Sequence, residues 1–331
     1  VSESRIGDTF YKNGTNVQIF PGFRPAKQMV FAGIYPEDPG LYNDLDKAIY
    51  KLALTDPAVT IVKESSASLG HGFRCGFLGL LHMDVFKQRL DDEYEISTIL
   101  TVPSVSYRCK LKTGKYIDVD NALHAPDAAT VSFYEEPFAE GTLIFPKDYL
   151  SEMINFCTER RGEEVSMKVI DGQKVVLKYL LPMSEIITDF FDKIKGFTKG
   201  YATFDFEFKE YRKSEVEKLV VVIMGEDCDA LSFMIHKSRV ESHGRKICQK
   251  LKESIPQQQF PVVIQARAGK RVVAREEISM MKKNVIAKCY GGDYSRKKKL
   301  LDKQKAGKKF LRKIGRVEVS KETFMSVLKV D

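Results

Sequence analysis

GLYNDLDKAIYKLALTDPAVTIVKESSASLGHGFRCGFLGLLHMDVFKQRL, residues 40 to 90, holds two helical and two strand patterns in a fixed order. Leu41, Leu45, Ala48, Ile49 and Leu52 recur at the three- and four-residue intervals of one helix face. VTIVKES and GFRCGFLG are short apolar runs between Pro, Ser and Gly, which read as strands, and GLLHMDVFKQRLDDE returns to helical spacing. QMVFAGIY before the stretch and EISTILTVP after it add a strand at each end, so the order over 25–103 is β-α-β-β-α-β.

That order is the ferredoxin-like split β-α-β unit. It returns in FAEGTLIFP, KDYLSEMINFCTERRG, EEVSMKVID, QKVVLKYLLP, SEIITDFFDKIKG and YATFDFEFKEY, so 137–214 reads as a second copy. Pro182 is expected to stop a strand and Ser184 to cap the following helix. Residues 104–136 lack sustained periodicity and read as a connector with one hairpin at Lys112-Thr113-Gly114. From 215 a third region is expected: strand EKLVVVIMG, a long helix from Ala230 to Ser254, and strand FPVVIQARAG. Residues 1–24 read as the last strands of a β-rich domain lying upstream, so the chain is expected to be a fragment. The fold class is therefore α+β: two tandem ferredoxin-like domains, then an α+β C-terminal domain (215–331) with a basic tail.

The formal net charge of +8 is unevenly spread. Residues 1–266 carry 33 basic and 38 acidic side chains, whereas 267–331 carry 20 and 7. A single-sign field of this kind attracts polyanions, either nucleic acid or an anionic membrane surface. Within the tail, Leu300, Leu301, Leu311 and Ile314 are spaced for one helix face, but Gln304 and Gly307 interrupt it, so no apolar seam is available to bury. Phe310 is the tail's one aromatic between Arg296 and Arg316, short of the apolar face an interfacial helix needs, and nucleic acid is favoured. No helix-turn-helix, zinc-finger or RNP pattern is present, so the expected partner is structured RNA bound through its backbone, not DNA. Arg267, Lys270, Arg271, Lys282, Lys283 and Lys288 lead up to the run, with Gly291-Gly292 as the turn that presents it.

Nothing in the sequence has catalytic spacing. The glycines at 70, 72, 76 and 79 miss the dinucleotide-loop pattern and read as turn and packing glycines, and no phosphate loop occurs. GFTKG (196–200) imitates a nucleophile elbow, but the strand and helix around it come in the reverse order. The histidines at 71, 82, 124, 236 and 243 show no ligand spacing and His82 reads as a packed or capping residue, so no metal and no cofactor is expected in this chain. The six cysteines, no two within four residues, read as reduced structural thiols. The acidic pairs Asp91-Asp92 and Glu135-Glu136 read as solvated surface.

KNVIAKCYGGDYSRKKKLLDKQKAGKKFLRKIGRVEV, ESSASLGHGFRCGFLGLLHMDVF and PFAEGTLIFPKDYL closely resemble the elongation factor 4 (LepA) family of translational GTPases, in order and over essentially the whole chain. The resemblance implies that 1–24 are the end of a β-barrel second domain and that 25–103 and 137–214 correspond to the two ferredoxin-like domains shared with elongation factor G. It also implies that GTP and Mg are bound in an N-terminal domain outside this chain, and that this portion binds the ribosome, rRNA and tRNA as a monomer and takes part in back-translocation. Carried onto this sequence, the tail positions are Lys288, Tyr290, Gly291, Gly292 and Arg296, Lys297, Lys298 and Lys299. Lys303, Lys305, Lys308, Lys309, Arg312 and Lys313 extend the same basic run. GFTKGYATFDFEF resembles a segment lying against rRNA, which makes Lys195, Lys199 and Tyr201 weaker candidates. A mitochondrial matrix location, peripheral on the inner membrane, is the expectation, with bacterial cytoplasm or plastid as alternatives. The rival reading is a non-ribosomal regulatory or RNA-binding module built on tandem ferredoxin-like domains.

Overall fold

The computed structural model describes residues 8–15, 17–18, 28–66, 69–187, 189–281, 295 and 297–303. The chain divides into two compact units, Val1–Val216 and Glu217–Asp331.

In the first unit, β1 (Val30–Pro36), α1 (Tyr42–Thr55), β2 (Thr60–Ser66), β3 (Gly70–Phe77), α2 (Leu80–Tyr94) and β4 (Thr98–Leu100) form an antiparallel sheet in the order β2-β3-β1-β4. That is the ferredoxin-like arrangement expected from the opening stretch. Register places Val30, Ala32 and Ile34 opposite Phe77, Cys75 and Phe73, so one sheet face is continuously apolar. Leu45, Ile49 and Leu52 of α1 and Met83, Phe86 and Leu90 of α2 close over it, all buried. Each such side chain contributes on the order of 1.5–3 kcal/mol on leaving water. The glycines of GHGFRCGF serve the turn and the packing: Gly70 turns at φ +79°, while a Cβ on Gly72 would stand 2.6 Å from the Ile34 carbonyl oxygen.

The second sheet contains β5 (Tyr107–Leu111), β6 (Tyr116–Val119), β7 (Val131–Pro146), α3 (Leu150–Glu159), β8 (Glu163–Ile170), β9 (Lys174–Pro182), α4 (Met183–Ile186), α5 (Phe190–Phe197) and β10 (Thr203–Ser214). Its main path runs β6-β5-β7-β9-β8, and β10 pairs with β7. The strands β7 to β10 with their helices are again ferredoxin-like. The expected connector hairpin is present, but it does more than connect. β5 pairs with the first residues of the 16-residue β7, so the hairpin extends the second sheet.

Residues on either side of that hairpin also seal the reverse face of the first sheet. Arg74, 8% exposed, donates to the Ser104 hydroxyl at 2.5 Å and to the Asp120 carbonyl. Ser104 donates on to the same carbonyl at 2.8 Å, and Glu64 accepts from Tyr35 at 3.1 Å and from Asn121.

The expected second helix of this domain is split. Strand β9 does end at Pro182, but Ser184 lies inside α4 and, instead of capping, donates its hydroxyl to Glu136 at 2.5 Å. Asp189 precedes α5 and its carboxylate is taken by Arg160 and Lys193.

The second unit departs further from expectation. Its β11 (Val216–Ile223), β12 (Glu226–His236), α6 (Val240–Ser254), β13 (Val262–Ala268) and β14 (Arg271–Ile278) form a sheet ordered β12-β11-β13-β14. The helix expected from Ala230 begins only at Val240, because Met224 (φ 55°) and Gly225 (φ 91°) make a two-residue reversal that sends 226–236 back as a strand. Strand β14 was not expected. Ile247, Cys248 and Leu251 of α6 are buried, and a Cβ on Gly244 would lie 3.0 Å from Val273 and 3.2 Å from Ala266, so helix and sheet approach closely. The expectation of strands in 1–24 falls largely outside the described residues; 8–15 and 17–18 hold a turn closed by Thr15 N–H to the Lys12 carbonyl.

Candidate nucleic-acid interface

Two groups of predicted RNA-facing residues are visible. In the second unit Arg267 lies on β13, and Lys270 and Arg271 sit at the tight β13–β14 reversal, where Gly269 takes φ +57°. Arg267 meets Asp227 at 3.1 Å and Arg271 meets Glu241 at 3.4 Å. Both pairs are exposed, and such surface pairs are worth only ~0–1 kcal/mol, so exchanging a carboxylate for a phosphate costs these arginines little. Residues 297–303 are helical, with Lys298, Lys299 and Lys303 exposed and Lys297 half-buried. Lys282, Lys283, Lys288, Tyr290, Gly291, Gly292, Arg296, Lys305, Lys308, Lys309, Arg312 and Lys313 lie outside the described residues.

The second group comes together at the end of α5. GFTKG closes that helix: Gly200 N–H reaches the Lys195 carbonyl at 2.8 Å and Lys199 N–H the Gly196 carbonyl at 3.4 Å, the paired bonds of a left-handed helix ending. Lys199 (φ 52°) supplies the left-handed residue. Thr198, fully buried, donates to the Ile194 carbonyl at 2.6 Å and accepts from Ala202 N–H at 3.2 Å, so its hydroxyl is structural. Lys195, Lys199 and Tyr201 are left exposed around this ending, Tyr201 at 71%.

Other polar clusters have structural roles. His82 accepts Leu78 N–H at 3.2 Å on Nδ1, and its Nε2 lies 2.6 Å from Asp56, so it caps the entry to α2 as expected. The reading of Glu136 as solvated is wrong. It is fully buried, bound by Arg161 at 2.9 and 3.0 Å, by Ser184 at 2.5 Å and by Ser214 at 2.9 Å. Burial alone would raise its pKa; Arg161 and the two hydroxyls outweigh that and hold the carboxyl below the usual glutamate range. Burial pushes the thiols of Cys75 and Cys157 up to about 12, where they are poor nucleophiles at neutral pH. Among the described residues no group of three His, Cys, Asp or Glu could hold a metal ion, and no helix is long and apolar enough to cross a membrane.

One cationic surface was missed from sequence. The β5–β6 hairpin places Arg108 and Lys110 over aromatic rings, and its only sequence signal was the alternation in YRCKLKTGKYIDV, 107–119.

Residues 223–329 match the family described as GTP-binding protein LepA C-terminus, and 133–221 match Elongation factor G C-terminus. Elongation factor 4 of Bacillus cereus (strain ATCC 10987 / NRS 248) is 47% identical over 100% of this chain and 55% of its own length. A translation factor GUF1 homolog, mitochondrial, of Arabidopsis thaliana is 46% identical over 99% of this chain and 50% of its own. A crystal structure from Thermus thermophilus overlaps 61% of this chain and 43% of its own at 17% identity and TM-score 0.39, too loosely to argue from. The chain spans about half the length of the curated relatives it matches. With identity running along its whole length and the two C-terminal domain matches in sequence order, the chain belongs to the elongation factor 4 (LepA) family.

Proposed function

We propose that this chain is the ribosome- and tRNA-binding portion of a translational GTPase of the elongation factor 4 family, acting in back-translocation and fidelity of protein synthesis. The observation that carries the reading is the 46–47% identity to elongation factor 4 and the mitochondrial homologues along the full chain. The charge distribution supports it, since residues 267–331 bring 20 basic side chains against 7 acidic. GTP and Mg would bind in the portion that the longer relatives possess beyond this chain, and no residue here is assigned to them. Relatives come from both bacteria and mitochondria; we place this protein in the mitochondrial matrix, acting as a monomer. The regulatory-module alternative finds no support among the relatives.

In this reading rRNA and tRNA are held mainly through phosphates by Arg267, Lys270, Arg271 and the tail, with Lys195, Lys199 and Tyr201 as a second contact. The test is co-sedimentation with ribosomes across a salt series, comparing the full chain with one ending at Tyr290. With about 6–10 phosphate contacts, affinity should fall ~10³ to 10⁵-fold between about 50 and about 200 mM salt, and the truncation should flatten that slope. Unchanged binding and slope after truncation would remove the tail from the interface.

A further inference from the structure

We propose that the sheet face built by the β5–β6 hairpin, the start of β7 and the end of β10 is a docking surface for unpaired RNA, stacking bases on its aromatic rings while its cations hold the phosphates. The proposal rests on the RNA-binding reading above for the class of partner only, because its residues lie apart in sequence from the basic tail and from the α5 ending.

Register fixes which side chains share the face. Lys110 lies opposite Tyr116 on one side and Phe133 on the other, Arg108 lies opposite Asp118 and Glu135, and Glu135 lies opposite Lys213. Tyr211, two residues before Lys213, points to the same side. The alternate positions Tyr107, Cys109 and Val119 are buried, so the face carrying the charges is the one turned to solvent.

Three of its cations are laid over rings. The Arg108 guanidinium is 4.0 Å from the Tyr211 centroid. Lys110 is 5.2 Å from Tyr116 and 5.5 Å from Phe133, and Lys213 is 5.1 Å from Phe133. Two acids share the face: Asp118, 3.6 Å from Arg108, and Glu135. With Lys112 and Lys115 exposed at the hairpin tip, five cations face two carboxylates, a surplus matched to a polyanion.

The aromatic component distinguishes this surface from an ordinary solvated strand face. Tyr116 is 49% exposed, an exposed ring flanked by positive charge. Unpaired nucleotides offer flat faces that stack on aromatic side chains or on guanidinium planes, and phosphates that lysines neutralise. The part-exposed Arg108 guanidinium, held over Tyr211, offers such a base a second stacking partner. A duplex keeps its base faces covered and can use the cations alone, so the face should prefer unpaired RNA.

The experiment uses the full chain and an oligouridylate of about 12 nucleotides containing 4-thiouridine, the length suited to a single sheet platform. Ultraviolet crosslinks should map to 107–119 and 131–137 as well as to the tail; crosslinks confined to 267–331 would overturn the proposal. By fluorescence anisotropy, Tyr116→Ala should weaken oligouridylate binding about tenfold, within the range of losing one stacked base, while Tyr116→Phe keeps the wild-type affinity. Blunt duplex RNA of equal length should bind more weakly and ignore Tyr116→Ala. Equal losses on both RNAs, no loss on either, or competition by poly-glutamate as strong as by RNA would each reduce the face to a plain cationic patch and sink the idea. Crosslink mapping on the wild-type chain decides the matter even where a variant fails to fold. No ribosome enters this assay, so its failure is separable from failure of ribosome binding.

Discussion

Glu136 is a fully buried carboxylate gripped by both prongs of Arg161, and Arg161 reaches it from a backbone position that ordinarily favours glycine. At the end of α3, Arg161 takes φ 60°, its N–H bonds the Thr158 carbonyl at 3.0 Å, and Gly162 N–H bonds the Cys157 carbonyl at 2.8 Å. A non-glycine residue there costs roughly 1–2 kcal/mol, which the ion pair offsets. Removing one partner of a buried pair strands the other, typically at a cost of about 3–5 kcal/mol. Arg161 keeps Glu185 at 3.3 Å, so Glu136→Gln should fall at the low end, about 3 kcal/mol in urea unfolding. Because the folded carboxyl titrates below its unfolded value, its stabilisation is complete above the usual glutamate range of ~4.3 and is lost as pH falls through the folded value. The wild type should therefore lose stability faster than Glu136→Gln on acidification below about pH 4; parallel curves would show that Glu136 is not ionised in the fold. None of this was legible in sequence, since Glu135-Glu136 looks like any surface doublet and Arg161 lies 25 residues away.

Among the elements, those whose side-chain period is enforced by a single two-layer core were readable in advance. The helix face Leu45, Ala48, Ile49 and Leu52 and the strand partners Val30 and Phe77 belong to one ferredoxin-like unit, and local pattern and tertiary packing agree there. Where they disagree, the turn decided the outcome. DALSFMI in β12 has apolar residues at helical intervals, but Met224 and Gly225 both adopt positive φ, the geometry of a tight hairpin turn matched to strand twist. Gly225→Ala places a Cβ in that left-handed position and should destabilise the second unit by about 1–2 kcal/mol, read as a lowered denaturant midpoint with unchanged slope. No change would mean that residues 226–236 do not depend on this reversal. The hairpin of 104–136 was seen, but its pairing with β7 was not, because strand partnership across about twenty residues leaves no periodic trace.

At the scale of the whole molecule, the tandem ferredoxin-like organisation and the cationic C-terminal region were both visible in sequence, whereas the arrangement within 217–281 required coordinates. Family membership extends along the entire chain, yet the chain is not one cooperative block in its contacts: Val1–Val216 and Glu217–Asp331 are separate compact units. Each has its own buried core, with Phe77, Phe86 and Leu90 in the first and Leu219, Ile247 and Ile264 in the second. A domain with its own core unfolds as its own cooperative unit unless a large apolar interface couples it to its neighbour. Calorimetry of the full chain should then resolve two transitions, with Glu136→Gln lowering one and Gly225→Ala lowering the other. The two substitutions lie in different cores, so the double variant should show both shifts undiminished. A single transition displaced by either substitution would instead make the two units one folding block.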